Sequence, residues 1–182
     1  YDEPFADSSQ LPTHLVMKMA RQHVTVALSG DAGDEFFGGY NRYVLGPKSW
    51  RMIGWMPAPV RRALGSAMGT LPASAVNALA SKAGVAQPGD KMHKFARLLR
   101  TVGDQHDLYG AMVSEWLEWP SLVIDGGIPN NLVDDRSRWP SLGDPVSRMM
   151  ALDGLTYLPD DTLVKVDRAS MAVSLETRAP FP

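Results

Sequence analysis

The residues with most chemistry to offer lie between positions 26 and 40, in the stretch VALSGDAGDEFFGGY, where Ser29, Gly30, Asp31, Asp34 and Glu35 follow an apolar run. A serine and a glycine at the end of a strand suit a nucleotide: the hydroxyl can donate or accept a hydrogen bond, and the glycine lets a ligand approach the main chain. Three carboxylates in the next five positions argue the other way. They repel a bare phosphate even with about half a positive charge from a helix dipole behind it. A cation resolves the conflict. Mg²⁺ is the natural candidate, since it takes one or two carboxylates and fills its other positions with phosphate oxygens and water. A carboxylate here could also orient or deprotonate an amine nucleophile. The plainer alternative is that Asp31 caps a helix while Asp34 and Glu35 favour its positive end, each for roughly 0.3–1 kcal/mol. Gly38 and Gly39 weigh against that alternative, because glycine within a helical stretch costs roughly 1 kcal/mol relative to alanine and points to a close-packing requirement.

The elements that must hold these groups are set by the pattern around them. SSQLPTHLVMKMARQ predicts a helix, with Ser9 or Gln10 as cap, Pro12 in the first turn, Leu11, Leu15 and Met19 on one face, and an end near His23. HVTVALSG is β-branched and small without polar alternation, which predicts a strand buried on both faces as in a parallel sheet, and it is the only strong strand signal in the chain. A helix is expected from Asp34 to about Val44, stopped by Gly46 and Pro47. WRMIGWMPAPVRRALGSAM carries a basic helical stretch, residues 70–90 a short helix and a loop, and KMHKFARLLRTV and DLYGAMVSEWLEW two amphipathic helices. Residues 120–145 are dense in turn formers. A last helical region spans about 145–171, interrupted near Pro159, with Asp160 capping a new helix and Asp161 and Lys165 four apart on one face.

Composition narrows the classes. A chain of 182 residues that is 45% hydrophobic is expected to form one globular unit, and a net charge of −2 gives no electrostatic reason for a nucleic-acid partner. The absence of cysteine excludes disulfides, thiolate catalysis and cysteine-ligated zinc, and suits a cytoplasmic location. No apolar run approaches the roughly 20 residues of a membrane span. The acidic start, the lack of an initiator methionine and the ending RAPFP lead to the expectation of a piece of a longer protein. The four histidines are scattered without metal-ligand spacing. VRRALGS and HKFARLLR read as solvent-facing sides of helices rather than RNA-binding patches. Lys165, Asp167, Arg168 and Ser170 place positive charge near the crevice, but an internal salt-bridge set with Asp160, Asp161 and Glu176 is the favoured reading, and Glu176 and Arg178 read as bracing an extended chain.

VALSGDAGDEFFGGYNRY resembles the Ser-Gly-(Asp/Glu)-Gly-(Gly/Ser)-Asp-Glu-(Leu/Val)-Phe-Gly-Gly-Tyr signature of the glutamine-hydrolysing asparagine synthetases, and LPDDTLVKVDRASMAVSLETRAPF resembles their second signature. YDEPFADSSQLPTHLVMKMAR is similar to the segment that precedes the first. The resemblance implies an α/β fold, a fragment of an adenine-nucleotide α-hydrolase-like (PP-loop) synthetase domain, predominantly α-helical in the part present with one buried strand. It implies ATP-dependent amidation of a carboxylate, aspartate to asparagine foremost, through an acyl-adenylate, with Mg²⁺ assisting and ammonia supplied from glutamine by another domain. By position, Ser29 and Gly30 would bind the nucleotide, Asp31 would be the catalytic acidic residue of acyl-adenylate formation and amine handling, and Asp34 would be the metal ligand. Asp31 stands where other members have glutamate, Phe36 where Leu or Val is common, and Ala32 where glycine is usual, a position at which positive φ favours glycine. The family's pyrophosphate loop, Ser-Gly-Gly-x-Asp-Ser, and its glutaminase domain with a catalytic cysteine do not occur in this sequence. Residues 1–182 therefore read as a partial synthetase domain, expected to be inactive alone. The implied partners are small molecules, with no nucleic acid, no membrane, and a homodimer among the assemblies allowed. The same resemblance extends to amidotransferases of sugars or other carboxylates, and a non-catalytic helical interaction module is the reading from another class.

Overall fold

The computed structural model describes residues 5–80, 87–114, 124 and 131–180. The chain divides into two compact units, residues 1–43 with 130–182 and residues 44–129.

In the first unit α1 (Gln10–Arg21) starts as the sequence predicts, with Pro12 in its first turn. Ser9 holds the N-cap position but makes no capping bond. Its N–H and its hydroxyl both donate to the Asp7 carboxylate, at 2.8 and 2.7 Å. The chain then enters β1 (Val26–Leu28), which pairs in parallel with β2 (Glu176–Arg178) in the register Val26↔Glu176, Ala27↔Thr177, Leu28↔Arg178. Two expectations are corrected here. A second strand exists, and β1 is not buried on both faces: Val26 is 43% and Leu28 75% exposed. The β-branched run carries the pattern of a central strand, but a sheet of two three-residue strands among the described residues gives it one neighbour and little cover.

The single helix expected from Asp34 to Val44 is two. α2 (Gly33–Phe37) stops at Gly38, whose φ of +71° reverses the chain in the left-handed conformation glycine adopts without strain. α3 (Asn41–Ile53) then runs straight through Gly46 and Pro47. The missing Pro47 N–H costs one helical bond, and burial of Tyr43 and Ile53 from the same helix offsets it.

The second unit is helical: it takes α3 from Val44 onward, then α4 (Ala58–Gly69), α5 (Ala73–Ala80), α6 (Pro88–Thr101) and α7 (Gln105–Val113), with α6 packed against α4, α5 and α7. Gly65 lets α4 cross α6 closely, since a Cβ there would fall 2.6 Å from the Ala96 carbonyl oxygen. VRRALGS is not simply a solvent-facing surface, because Arg61 is only 2% exposed. Its guanidinium donates to the Val102 and Gly103 carbonyls at 2.7 and 2.9 Å, closing the end of α6, and lies over the Trp50 ring. A reciprocal capping box between Asp104 and Asp107 starts α7. Residues 115–119 of the predicted DLYGAMVSEWLEW helix, and most of the expected loop up to 130, lie outside the described residues.

The chain returns to the first unit in α8 (Pro145–Leu155), capped by Asp144, whose carboxylate accepts the Ser147 N–H at 2.7 Å. The interruption expected near Pro159 falls at Thr156, whose φ of −129° and ψ of −71° leave the helical region and end α8. Residues Leu158–Thr162 form a π turn that absorbs the proline, and α9 (Leu163–Met171) continues directly from it. Asp160 is therefore not a cap; Thr162 holds that position without a side-chain bond. α9 packs on α1 and on β2. No helix among the described residues is long and apolar enough to cross a membrane.

Candidate functional site

Strand pairing sets the position of the site. The Ser29 N–H donates to the Arg178 carbonyl at 2.9 Å and the Glu176 N–H to the Thr25 carbonyl at 3.0 Å, so the two signature stretches lie side by side. Past Gly30 the chain turns sharply into α2 through Ala32, which is buried and left-handed at φ +71°. An alanine held there costs roughly 1–2 kcal/mol. This is the glycine position of the family pattern, and the alanine adopts the glycine conformation. It also settles the capping alternative for Asp31, because Ala32 occupies the N-cap of α2 and no side chain caps that helix.

Ser29, Gly30 and Asp31 line one cleft of about 480 Å³, together with Thr13 and Met17 of α1 and Lys165 of α9. The space that a Cβ on Gly30 would take is open. The structure thus gathers three of the four predicted site residues and adds a cation to them.

The carboxylates separate. Successive helical residues point about 100° apart, so Asp34 and Glu35 do not share a face. Glu35 is 2% exposed and accepts the Tyr40 hydroxyl at 2.8 Å. Burial, then this carboxylate, pushes the Tyr40 phenol far above its ordinary range. Glu35 therefore belongs to the core and not to the anionic mouth that the sequence suggests. Beside it Arg42 stacks on the Tyr40 and Tyr157 rings, 4.1 and 4.8 Å from their centroids. Its Nε donates to the fully buried Asp153 at 2.8 Å, and the Tyr43 hydroxyl donates to the same oxygen at 2.5 Å. Burial and the Asp153 carboxylate raise the Tyr43 phenol as well. This network ties the start of α3 to α8 directly behind the acidic turn.

Asp34 is exposed and is not among the residues lining the cleft. Its carboxylate lies against Gly39: a Cβ on Gly39 would fall 1.9 Å from Oδ1. The close-packing requirement expected of the glycine pair is therefore met at Gly39 by Asp34 itself.

Lys165 departs from the salt-bridge set expected for it. Its ammonium donates to Asp7 Oδ2 at 2.6 Å, with the two side chains 14% and 22% exposed. Burial opposes the charge on each. The hydrogen bonds of the pair outweigh it, so Lys165 is raised and Asp7, which also accepts from Ser9, is held below the usual carboxylate range. Asp161 adds to Lys165 through its charge. Glu176 pairs instead with Arg178 at 2.6 Å on the surface. Nothing in the sequence signals Asp7, because its partner is 158 positions away.

For a metal the donor set is sparse. Among the described residues no three acidic or histidine groups gather into a cage. Asp31 stands on the cleft wall and Asp34, three residues on, is exposed outside its lining, so the chain offers one or two separate carboxylates, the number Mg²⁺ takes when phosphate and water complete its shell. That set does not fit an ion enclosed by protein alone.

Along residues 1–182 the sequence matches the family described as Asparagine synthase. A Mycobacterium tuberculosis protein named as a glutamine-hydrolyzing asparagine synthetase is 34% identical over 187 residues, which cover 99% of this chain and 26% of that protein. The Bacillus subtilis glutamine-hydrolyzing asparagine synthetase 1 is 28% identical over 183 residues, 100% of this chain and 27% of its own. A Methanocaldococcus jannaschii protein of the same naming is 48% identical over 73 residues, 35% of this chain and 14% of its own. The chain spans about a quarter of the length of the first two. No solved structure matches it.

Proposed function

Because the chain belongs to the asparagine synthase family, we propose that it is the synthetase part of a longer, glutamine-dependent enzyme that uses ATP to convert a carboxylate to an amide, aspartate to asparagine first among the candidates. The observation that carries this reading is the cleft at the end of β1, where Ser29, Gly30 and Asp31 line one space of about 480 Å³.

In this reading the Ser29 hydroxyl and the main chain at Gly30 hold the nucleotide, and the open Cβ position of Gly30 admits a phosphate close to the backbone. Mg²⁺ arriving with ATP would neutralise phosphate charge, with Asp34 as its protein ligand. The substrate carboxylate attacks the α-phosphorus, pyrophosphate leaves, and an acyl-adenylate results. Ammonia, released from glutamine by another domain, then adds to the acyl carbon. A proton leaves the nitrogen, AMP departs, and the amide remains. Asp31 on the cleft wall orients the incoming amine and accepts that proton. Residues of the longer protein supply the pyrophosphate loop, and the enzyme works on small molecules in the cytoplasm.

The test is Mg²⁺-dependent ATP–pyrophosphate exchange by the full-length protein across a panel of carboxylic acids, with Asp34→Asn beside wild type. The variant is expected to lose exchange while keeping its circular dichroism and melting temperature. Unchanged exchange in the variant rejects the reading, and the acid that supports exchange in wild type identifies the substrate.

A further inference from the structure

Lys165 is the single basic residue among those lining the cleft. It reaches the cleft from α9, on the far side of the sequence from the acidic turn, and its side chain is only 14% exposed. A lysine ammonium has three N–H donors and no acceptor. One donor is given to Asp7 at 2.6 Å. Asp7 is itself held, because it also accepts the Ser9 N–H and hydroxyl at the start of α1. The ammonium is thus held at one point, by Asp7, while the residue lines the same cleft as Ser29, Gly30 and Asp31.

The electrostatics of the cleft call for such a group. Asp31 lies on the same wall, and an anion entering beside it meets repulsion that a nearby ammonium offsets. Lysine supplies this as a compact charge that can track an oxygen as the ligand moves.

From this placement we infer that Lys165 is an anion-binding residue of the cleft, that it contacts an anionic oxygen of the bound substrates, and that Asp7 is the positioning residue which aims it. The inference rests on the proposed function and adds to it a cation that no feature of the first signature provides. The oxygen belongs either to a phosphate of the nucleotide or to the carboxylate of the acid; both present the same charged acceptor.

The experiment uses the full-length protein. AMP affinity is measured by isothermal titration calorimetry, and KM for ATP and for aspartate by pyrophosphate exchange, in wild type, Lys165→Met, Lys165→Arg and Asp7→Asn. Removal of a charged hydrogen-bond donor is expected to weaken the anion it contacts by about 10- to 100-fold in Lys165→Met. Asp7→Asn, which leaves the charge but frees its position, is expected to weaken it by about 3- to 10-fold, and Lys165→Arg to recover most of the loss. A rise confined to AMP affinity and the KM for ATP assigns the contact to phosphate. A rise confined to the KM for aspartate assigns it to the acid. Lys165→Met and Asp7→Asn proteins that melt earlier but keep wild-type AMP affinity and both KM values overturn the inference and leave the pair as a brace. A wild-type protein that binds no AMP overturns the underlying functional reading instead, so the two failures are told apart.

Discussion

Gly39→Ala is the sharpest test of how the acidic turn is built. A methyl group there would sit 1.9 Å from Asp34 Oδ1 and 2.8 Å from its Cγ, with the Asp34 Cα at 3.2 Å. Ordinary contact needs roughly 3.5 Å, so the carboxylate oxygen must retreat by about 1.5 Å. Rotation of the side chain achieves this for an off-rotamer cost of about 0.5–1.5 kcal/mol. Asp34 is exposed, so it has solvent to rotate into, and the fold is expected to survive with a melting temperature lowered by only a few degrees. Function should suffer more. A displacement of about 1 Å in a group that positions a reactant costs on the order of 10²-fold in rate, and the proposed metal ligand moves further than that. Magnesium-dependent ATP–pyrophosphate exchange by the full-length protein is therefore expected to fall about 100-fold in Gly39→Ala. In an Asp34→Asn background the same substitution is expected to add almost nothing, because both act through one carboxylate. Exchange within about threefold of wild type in Gly39→Ala, at equal folded fraction, would falsify the assignment of Asp34 as a placed ligand.

Two further predictions concern stability. Ala32→Gly relieves a left-handed alanine at the entry to α2 and should raise stability by about 0.5–1 kcal/mol after the larger unfolded-state freedom of glycine is set against the relief; a lower melting temperature would contradict the backbone conformation. Arg61→Leu leaves the Val102 and Gly103 carbonyls without their donor and should cost about 2–4 kcal/mol in urea unfolding, whereas a loss below about 0.5 kcal/mol would show that the buried guanidinium is dispensable.

What the sequence reveals and what it hides divide by range. Ser29, Gly30 and Asp31 are legible because they are contiguous: an apolar run leading into Ser-Gly and acid specifies a strand end and its turn within a few residues. Helix α1 is legible for the same reason, through Pro12 in its first turn. The pairing of Lys165 with Asp7 is not, since it depends on α9 lying over the segment before α1, and spacing along one helix favours Asp161 instead. Glu176 and Arg178 read correctly as extended chain, but three residues of alternating charge do not reveal that they form the neighbour of β1. Arg61 misleads because helical periodicity places its Cβ without saying that a guanidinium can be drawn in to close the end of another helix. At Pro47 local propensity expects a stop, and burial carries the helix through it; near Pro159 the expected break does occur, at Thr156, and the proline itself sits in the widened turn that follows.

The register Val26↔Glu176 has a consequence for biosynthesis. When the ribosome releases the first signature, the partner of β1 has not yet been made, and it emerges 150 positions later. At about 5–20 residues per second, roughly 8–30 s elapse before the two can meet. Over that interval the edge of β1 that will face Glu176–Arg178 lacks that partner, and an unpaired apolar strand edge is open to pairing with another strand at the segment that will later border the cleft.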